Sequence, residues 1–208
     1  MKHNLQLDGF GVRLRPVKME DSAFIVWIRN LERTKGKVGD SASNVAAQES
    51  WLAAYFERTG DYYFIIETLH GIPAGTLGIY DVAGTSAELG RLILRPDVIA
   101  ALSGTLLGYD LAYNKLGLTE VRGTVVASNV AMRNFVRNFG LREIKVPQDV
   151  QIIGGKPAEI IHYRQTANDW AKARESLLPL AHAAEAKLLQ WDHREIAKAI
   201  RPPWLPPP

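Results

Sequence analysis

Alternation between apolar and polar residues divides the chain into strands and helices up to about residue 165. The spacing predicts strands at 12–17, 62–68, 74–81, 89–94, 120–127 and 160–164. Helical spacing is found at 21–31, 46–57, 106–116 and 129–140. A short strand at 151–153 precedes a Gly154-Gly155 turn, which suggests a hairpin with 160–164. Strands and helices in this order predict a mixed sheet with flanking helices.

The segment from 89 to 105 is the most informative part of the pattern. Residues 89–94 are almost continuously apolar, which suits a strand buried on both faces. Pro96 ends that strand because proline cannot donate to a ladder. Five small residues then open a helix: Ala100, Ala101, Ser103, Gly104 and Thr105. Bare N–H groups at a helix start attract anions, so this turn is a candidate seat for a phosphate or pyrophosphate.

The C-terminal part has a different pattern. Helical spacing predicts two helices, 168–178 and 180–200, divided or kinked at Pro179, and residues 201–208 are rich in proline. We therefore divide the chain into a domain at 1–165 and a helical strap with a tail at 166–208. Packing of the strap against the domain is the favoured interpretation. A homodimer interface, a lid over the acceptor pocket and a proline-rich ligand are the other possibilities.

Composition narrows the class of protein. The hydrophobic fraction of 47% and charged fraction of 23% in 208 residues are ordinary for a globular protein. The absence of cysteine excludes disulfides, thiolate zinc sites and cysteine nucleophiles. No apolar run has the length of a signal peptide or membrane span, so we expect a cytoplasmic protein that does not bind membranes. A net charge of +3 without clustering does not favour nucleic acid as a partner.

Three further motifs point to a known family. They are VRLRPV at 12–17 followed by MED at 19–21, WIRN at 27–30, and Asn129 followed by Gly140-Leu141. Together with the strand and turn at 89–105, the chain resembles the GNAT acyltransferase superfamily from about 12 to 163. It looks most like the branch of ribosomal-protein and nucleotide-amino-sugar N-acetyltransferases. The resemblance implies a mixed, mostly antiparallel sheet flanked by helices and acetyl-CoA as acyl donor, with no metal.

The resemblance also implies which residues hold the donor. The strand would offer the backbone N–H groups of Leu92, Ile93 and Leu94 to the pantetheine and the thioester carbonyl. The following turn would hold the pyrophosphate through Ala101, Leu102, Ser103, Gly104 and Thr105. Asn129 would hydrogen-bond the pantetheine or its neighbourhood, as the matching asparagine of the family does.

Two positions depart from the family pattern. The pyrophosphate loop of the family, Arg/Gln-x-x-Gly-x-Gly/Ala, corresponds to VIAALS at 98–103, which lacks the basic residue and both glycines. The tyrosine that acts as general acid in the family, seven residues after the asparagine, falls at Val136. Tyr109 and Tyr113, four residues apart on the preceding helix, are possible substitutes. A binding or assembly protein on the same scaffold is the interpretation that these departures leave open.

Direct attack of an amine on a thioester requires a group that removes a proton. Glu88, at the mouth of the strand that would hold the thioester, is the first candidate for this base. A solvated strand end or an ion pair with Arg91 would explain the same residue without a function. Tyr80 and Asp81, at the end of the preceding strand, are weaker alternatives for acid and base.

Four residues are candidates for binding the acceptor: Arg29, Gln48, Trp51 and Tyr80. Arg29 suits a phosphate or carboxylate, although a salt bridge to Glu20 or Glu32 is equally compatible. Gln48 and Trp51 lie where amino-sugar acetyltransferases carry a His/Gln-x-x-Trp-like element, but a tryptophan at helical spacing is more often core. This match favours the primary amine of a nucleotide-linked amino sugar. A protein N-terminus and a small-molecule amine are the alternatives.

Overall fold

The computed structural model describes residues 2–39 and 42–190 of the chain. Eight strands occur in these residues: β1 (Leu7–Gly9), β2 (Val12–Pro16), β3 (Tyr62–Thr68), β4 (Pro73–Ala83), β5 (Ser86–Leu94), β6 (Glu120–Val126), β7 (Arg142–Ile153) and β8 (Lys156–Thr166). The α-helices are α1 (Ser22–Arg29), α2 (Val45–Phe56), α3 (Ala101–Asp110), α4 (Val130–Asn138) and α5 (Ala167–Leu189). A π-helical turn, Leu111–Lys115, continues α3.

The strands form one sheet in the order β1-β2-β3-β4-β5-β6-β8-β7. Only the β5–β6 pair is parallel among the described strands, which confirms the predicted mixed, mostly antiparallel sheet. That pair is short, because it extends only from Ser86 opposite Glu120 to Glu88 opposite Arg122. Beyond Glu88 the two strands are no longer paired with each other. The sheet therefore opens between β5 and β6 directly after this short paired stretch.

A bulge in β5 lies next to this opening. Gly78 of β4 pairs with Gly90, but Thr76 pairs with Ile93, so β5 has one extra residue. Arg91 takes up the irregularity with φ of 50°, and Thr76 Oγ1 donates to its carbonyl oxygen at 2.7 Å. Because side chains alternate along a strand, the extra residue moves Ile93 to the opposite face from Leu89. The bulge thus interrupts the ladder where the resemblance places the thioester.

Hydrophobic clusters cover both faces of the sheet. The larger cluster joins the sheet to α3, α4 and α5, and includes Leu89. The smaller one joins it to α1 and α2, and includes Ile93. In the larger cluster, Tyr109 of α3 stacks on Phe139 at 5.7 Å and on Trp170 of α5 at 5.0 Å between ring centroids. Helix α5 therefore packs into the core of the sheet domain.

The structure corrects three sequence predictions. Helix α3 begins at Ala101 rather than Leu106, so residues 101–105 are its first turn and not a loop, in keeping with the high helix propensity of alanine. Helix α5 is continuous through Pro179 instead of dividing there. Strand β7 begins at Arg142, so most of that strand was missed, as was β1. The predicted helix beyond residue 190 and the proline-rich tail lie outside the described residues.

We expect Gly104→Ala to destabilise the protein by about 1–3 kcal/mol, through overpacking. An alanine in a helix normally stabilises relative to glycine. Here, however, an added Cβ would lie 2.6 Å from Cγ2 of Ile66, which is fully buried in β3. The free energy of unfolding in urea measures the effect, with Gly39→Ala as control because no atom lies within 4 Å of its added Cβ. Equal stability of the two variants would contradict the tight packing of α3 on β3.

Candidate active site

A cavity of about 500 Å³ opens where β5 and β6 separate. Residues 88–93 of β5 and 123–126 of β6 line its two strand walls. Helices α3 and α4 close one side through Thr105, Tyr109, Asn129 and Val136. On the other side lie Arg29 and the segment 37–39 that follows α1. The cavity therefore extends through the sheet, from the face covered by α3 and α4 to the face covered by α1. This shape suits two substrates that enter from opposite faces and meet between β5 and β6.

Glu88 lies in this cavity within a small hydrogen-bonded cluster. The hydroxyl of Tyr80, directly across the β4–β5 ladder, donates to Glu88 Oε1 at 2.9 Å. The hydroxyl of Thr124 on β6 donates to the same oxygen at 3.2 Å. Arg91 pairs with Asp61 instead, so the ion pair with Glu88 considered from the sequence is not found among the described residues. Glu88 thus joins three strands at the point where the sheet opens.

Tyr80 is held against the backbone of the bulged strand. A Cβ at position 90 would collide with its hydroxyl, so only glycine fits beside it. The Arg91 guanidinium lies 4.3 Å from the centroid of its ring. Burial, and then the neighbouring carboxylate of Glu88, raise the pKa of Tyr80 well above its usual range. The hydroxyl therefore keeps its proton at neutral pH.

Arg91 lies between Trp51 and the cavity. The guanidinium forms two hydrogen bonds with Asp61, at 2.5 and 2.9 Å, and lies 5.2 Å from the Trp51 ring centroid. Trp51 stacks in parallel on Tyr55 at 5.8 Å and packs in the smaller cluster. It is separated from the cavity by Arg91 and is not one of the lining residues. The core interpretation of this tryptophan therefore agrees with its surroundings.

The other candidates for the acceptor differ in their placement. Gln48 is 4% exposed within α2 and does not line the cavity. Arg29 lines it, and its Nη2 donates to the carbonyl oxygen of Gly39 at 2.9 Å. Of the predicted acceptor residues, the structure therefore brings Arg29 and Tyr80 to the cavity wall.

The predicted donor residues fall into two groups. Leu92, Ile93, Thr105 and Asn129 line the cavity, whereas Leu94 and residues 101–104 do not. Asn129 is the N-cap of α4, and its Oδ1 accepts from the Met132 N–H at 3.3 Å. Its amide NH₂ group has no hydrogen-bond acceptor among the described residues. The strand, the helix cap and the wall of α3 thus surround one continuous space.

The start of α3 retains the features of an anion seat. The first intrahelical bond runs from the Gly104 N–H to the Ala100 carbonyl at 2.9 Å. The N–H groups of residues 101–103 precede that bond and have no acceptor within the helix. Ser103 Oγ is buried and has no hydrogen-bond partner among the described residues. Gly104 is different, because its N–H is occupied and its Cα packs on Ile66.

The position of the usual general acid of the family is apolar in this chain. Val136 is 9% exposed and lines the cavity wall from α4. Of the two tyrosines considered as substitutes, Tyr113 is buried, and its hydroxyl donates to the Gln165 carbonyl at 3.0 Å. Tyr109 is 2% exposed but lines the cavity. Burial raises the pKa of both phenols. Tyr80, Tyr109 and Tyr163 are thus the phenols among the described lining residues, and the Tyr163 hydroxyl accepts from Arg133 Nε at 3.3 Å.

Sequence reasoning missed one polar pair of the cavity. His162 of β8 lines it, and His162 Nε2 lies 2.9 Å from Asp149 Oδ2 of β7. The two residues belong to strands whose pairing is irregular between Ile144 and Asp149. Because β7 was not predicted in this region, no sequence pattern placed the aspartate next to the histidine.

Comparison with known proteins shows the family of this chain. The acetyltransferase (GNAT) domain family matches residues 12–142, which is more than half of the chain. The chain belongs to the GNAT acetyltransferase family. It is therefore an acetyltransferase, and acetyl-CoA is the acyl donor that this family uses. A search of curated protein sequences finds no match.

Solved structures of other GNAT proteins share the fold. The chain is 25% identical to FdhC, a nucleotide-linked sugar GNAT, with a TM-score of 0.70 over 84% of this chain and 97% of the other. A GCN5-related N-acetyltransferase from Brucella melitensis has 16% identity and a TM-score of 0.71, over 93% and 90%. A point mutant of the spermidine N-acetyltransferase SpeG from Vibrio cholerae has 15% identity and a TM-score of 0.67, over 78% and 98%. The last two likenesses concern the fold alone.

The described residues contain neither a group of metal ligands nor a membrane-spanning helix. In residues 2–39 and 42–190, no three histidine, aspartate or glutamate side chains are grouped as metal ligands. No helix of the same residues combines the length and apolar character required to cross a bilayer.

Proposed function

We propose that this GNAT protein transfers the acetyl group of acetyl-CoA to the primary amine of a nucleotide-linked amino sugar. The charge of the cavity wall is the observation that supports this class of acceptor. Among the described lining residues, three are arginine or lysine, Arg29, Lys37 and Arg91, and one is a carboxylate, Glu88. A polyamine acceptor would require several carboxylates, whereas a wall of this kind favours an acceptor that carries phosphate. The likeness to a nucleotide-linked sugar GNAT supports the same class.

The basic residues do not contribute equally to this argument. Arg91 is already paired with Asp61. Lys37 lies at the exposed edge of the cavity, and no described carboxylate pairs with it. A flexible ammonium at a cavity mouth suits a phosphate as a point charge. Lys37 is therefore the side chain that we expect to contact the diphosphate of the acceptor.

The features around β5 and α3 fit acetyl-CoA as the donor substrate. Leu92 and Ile93 of the bulged strand would hold the pantetheine through their backbone, with Asn129 opposite. The N–H groups of the partly exposed residues 101 and 102, at the start of α3, offer donors to the pyrophosphate. They replace the missing glycines and basic residue of the family loop. Ala101 is partly exposed and leaves its backbone accessible, whereas Ala100 is buried.

Two side chains then provide the proton transfers. Glu88 removes a proton from the attacking amine nitrogen, whose electron pair forms the new C–N bond. As the C–S bond breaks, Tyr80 gives its hydroxyl proton to the thiolate. Protonated Glu88, 2.9 Å away, returns a proton to the Tyr80 oxygen. One proton from the amine thus reaches the sulfur, and both side chains recover their starting states.

An acceptor panel tests the proposal. We expect acetyl-CoA-dependent thiol release with a uridine or thymidine diphosphate amino sugar, and much less with spermidine, a peptide N-terminus or the free amino sugar. Lys37→Gln should raise KM for the nucleotide-linked acceptor about tenfold, since a hydrogen bond to a charged group contributes about 1.5–3 kcal/mol. The same variant should leave KM for the free sugar unchanged. Lys35→Gln is the matched control, because Lys35 is paired with Glu32 and does not line the cavity.

A preference for spermidine would overturn the nucleotide-sugar acceptor. A preference for the peptide would direct the proposal to protein N-termini. Equal loss of activity toward free and nucleotide-linked sugar in Lys37→Gln would contradict the assignment of the diphosphate to Lys37.

A further inference from the structure

The polar pair of His162 and Asp149 lies on the same face of the sheet as Glu88. His162 of β8 is directly opposite Thr124 of β6 in the antiparallel register, and Thr124 donates to Glu88. His162 and Glu88 are therefore two strands apart, which separates their backbones by roughly 10 Å. Both side chains line the cavity. An acceptor amine bound between them would have a titratable group on either side.

A large bulge in β7 brings Asp149 and His162 together. Ile144 pairs with His162 and Asp149 with Ile160, so a step of five residues on β7 faces a step of two on β8. Pro147 lies in the excess segment. Bulges re-aim side chains and are frequent beside active sites. Here the bulge allows the carboxylate of Asp149 to reach the imidazole of His162.

The geometry prepares His162 to accept a proton. A carboxylate bound to one imidazole nitrogen fixes the tautomer and leaves the lone pair on the other nitrogen. Asp149 binds Nε2, and no described residue bonds Nδ1. The His162 side chain is 28% exposed, so that it can exchange protons with water. An oriented imidazole that is in contact with both cavity and solvent suits a proton shuttle.

The proposed reaction needs such a group because the acceptor loses two protons. An ammonium must become neutral before it attacks, and the nitrogen loses a second proton as the amide forms. Glu88 and Tyr80 deliver one proton to the sulfur and are restored by the same turnover. The other proton must leave for the solvent by a different path.

We propose that His162, oriented by Asp149, takes the first proton from the acceptor ammonium and releases it to water. This inference rests on the proposed function. In this step the N–H bond of the ammonium breaks and an imidazole N–H bond forms. The electron pair left on the nitrogen attacks the thioester carbonyl, and the second proton goes to Glu88. The imidazolium then gives its proton to water, which balances the overall release of one proton per acetyl group transferred.

Several charged or titratable groups surround this position. Those facing the cavity or flanking His162 on its sheet face are Asp149 on β7, Tyr163 and Arg164 on β8, Arg122 on β6, Glu88 and Arg91 on β5, Tyr80 on β4, Tyr109 in α3, Arg29 in α1 and Lys37 after it. Asp149 is the described member in hydrogen-bond contact with the imidazole. Substitution of Asp149 is therefore the most direct way to alter the histidine without removing it.

The test is the pH dependence of kcat/KM in His162→Gln with the nucleotide-linked amino sugar. At pH 7 we expect about a tenfold loss, because an amine that ionises near pH 8 is only about one-tenth neutral in solution. The loss should shrink to about twofold or less at pH 9.5, where the acceptor arrives already neutral. Affinity for CoA and the melting temperature should be unchanged. Asp149→Asn should show a smaller loss with the same recovery.

Arg164→Gln serves as the matched control. Arg164 lies on the same strand and face, pairs with Glu120, and does not line the cavity. A His162→Gln variant with unchanged kcat/KM at pH 7 would overturn the inference. So would an equal loss at every pH, which indicates a structural role, or a rise in KM alone, which indicates binding. A wild-type protein inactive toward every amine would instead overturn the proposed function itself.

Discussion

Glu88→Gln should lower kcat about a thousandfold while affinity for acetyl-CoA stays unchanged. General acid-base catalysis contributes about 10²–10⁴-fold, and Glu88 serves both the amine and Tyr80 in the proposed mechanism. Glutamine keeps the size and an oxygen that can accept from Tyr80 and Thr124, but it cannot take a proton. Single-turnover kinetics with the amino-sugar acceptor measures the chemical step, and calorimetric titration measures binding of CoA.

Thr124→Val is the control for this prediction. It removes one hydrogen bond to Glu88 Oε1 and keeps the carboxylate, so we expect a loss of about tenfold or less. Unlike the loss in His162→Gln, the loss in Glu88→Gln should persist at pH 9.5, since a neutral acceptor still has a second proton to lose. A normal rate in Glu88→Gln would leave this residue with a structural role, as the acceptor for Tyr80 and Thr124 within the sheet.

The sequence predicted the parts of the site that depend on local pattern. A continuous apolar run bounded by proline marks β5, and a small-residue run marks the start of α3. Glu88 could be placed because it directly precedes that apolar run, although β5 itself begins two residues earlier, at Ser86. The limit of α3 was wrong because alanine and serine can occupy either a turn or a first helical turn. The hydrogen bond from the Gly104 N–H to the Ala100 carbonyl and the close approach to Ile66 distinguish the two in the structure.

The remaining features depend on contacts between distant segments. His162 and Asp149 meet through an irregular pairing of β7 with β8, and alternation along a single strand carries no information about a bulge in its neighbour. Trp51 has a spacing that suits a ligand wall as well as a core. Its stacking on Tyr55 lies within α2, but its contact with Arg91 of β5 is tertiary and cannot be read from the helix alone.

Because Val136 occupies the position of the family's general acid and cannot donate a proton, another group protonates the thiolate. Tyr80→Phe should lower kcat about a hundredfold, within the usual range for a general acid, whereas Tyr109→Phe should lower it by about threefold or less. Tyr80 lies on the strand next to the bulge, beside Gly90, and bonds Glu88, which can restore its proton. The Tyr109 hydroxyl has no partner among the described residues that could do so.

Leaving-group dependence provides the sharper measurement. If Tyr80 donates the proton, a donor with a more acidic thiol should recover much of the lost rate in Tyr80→Phe, because its thiolate departs without protonation. The raised pKa of Tyr80 means that the wild-type rate should not decline through loss of this proton below about pH 10, the ordinary range of a phenol. A larger loss in Tyr109→Phe than in Tyr80→Phe would reverse the assignment. Equal, small losses in both would leave water as the proton donor, and Tyr80 would then act only by orienting Glu88.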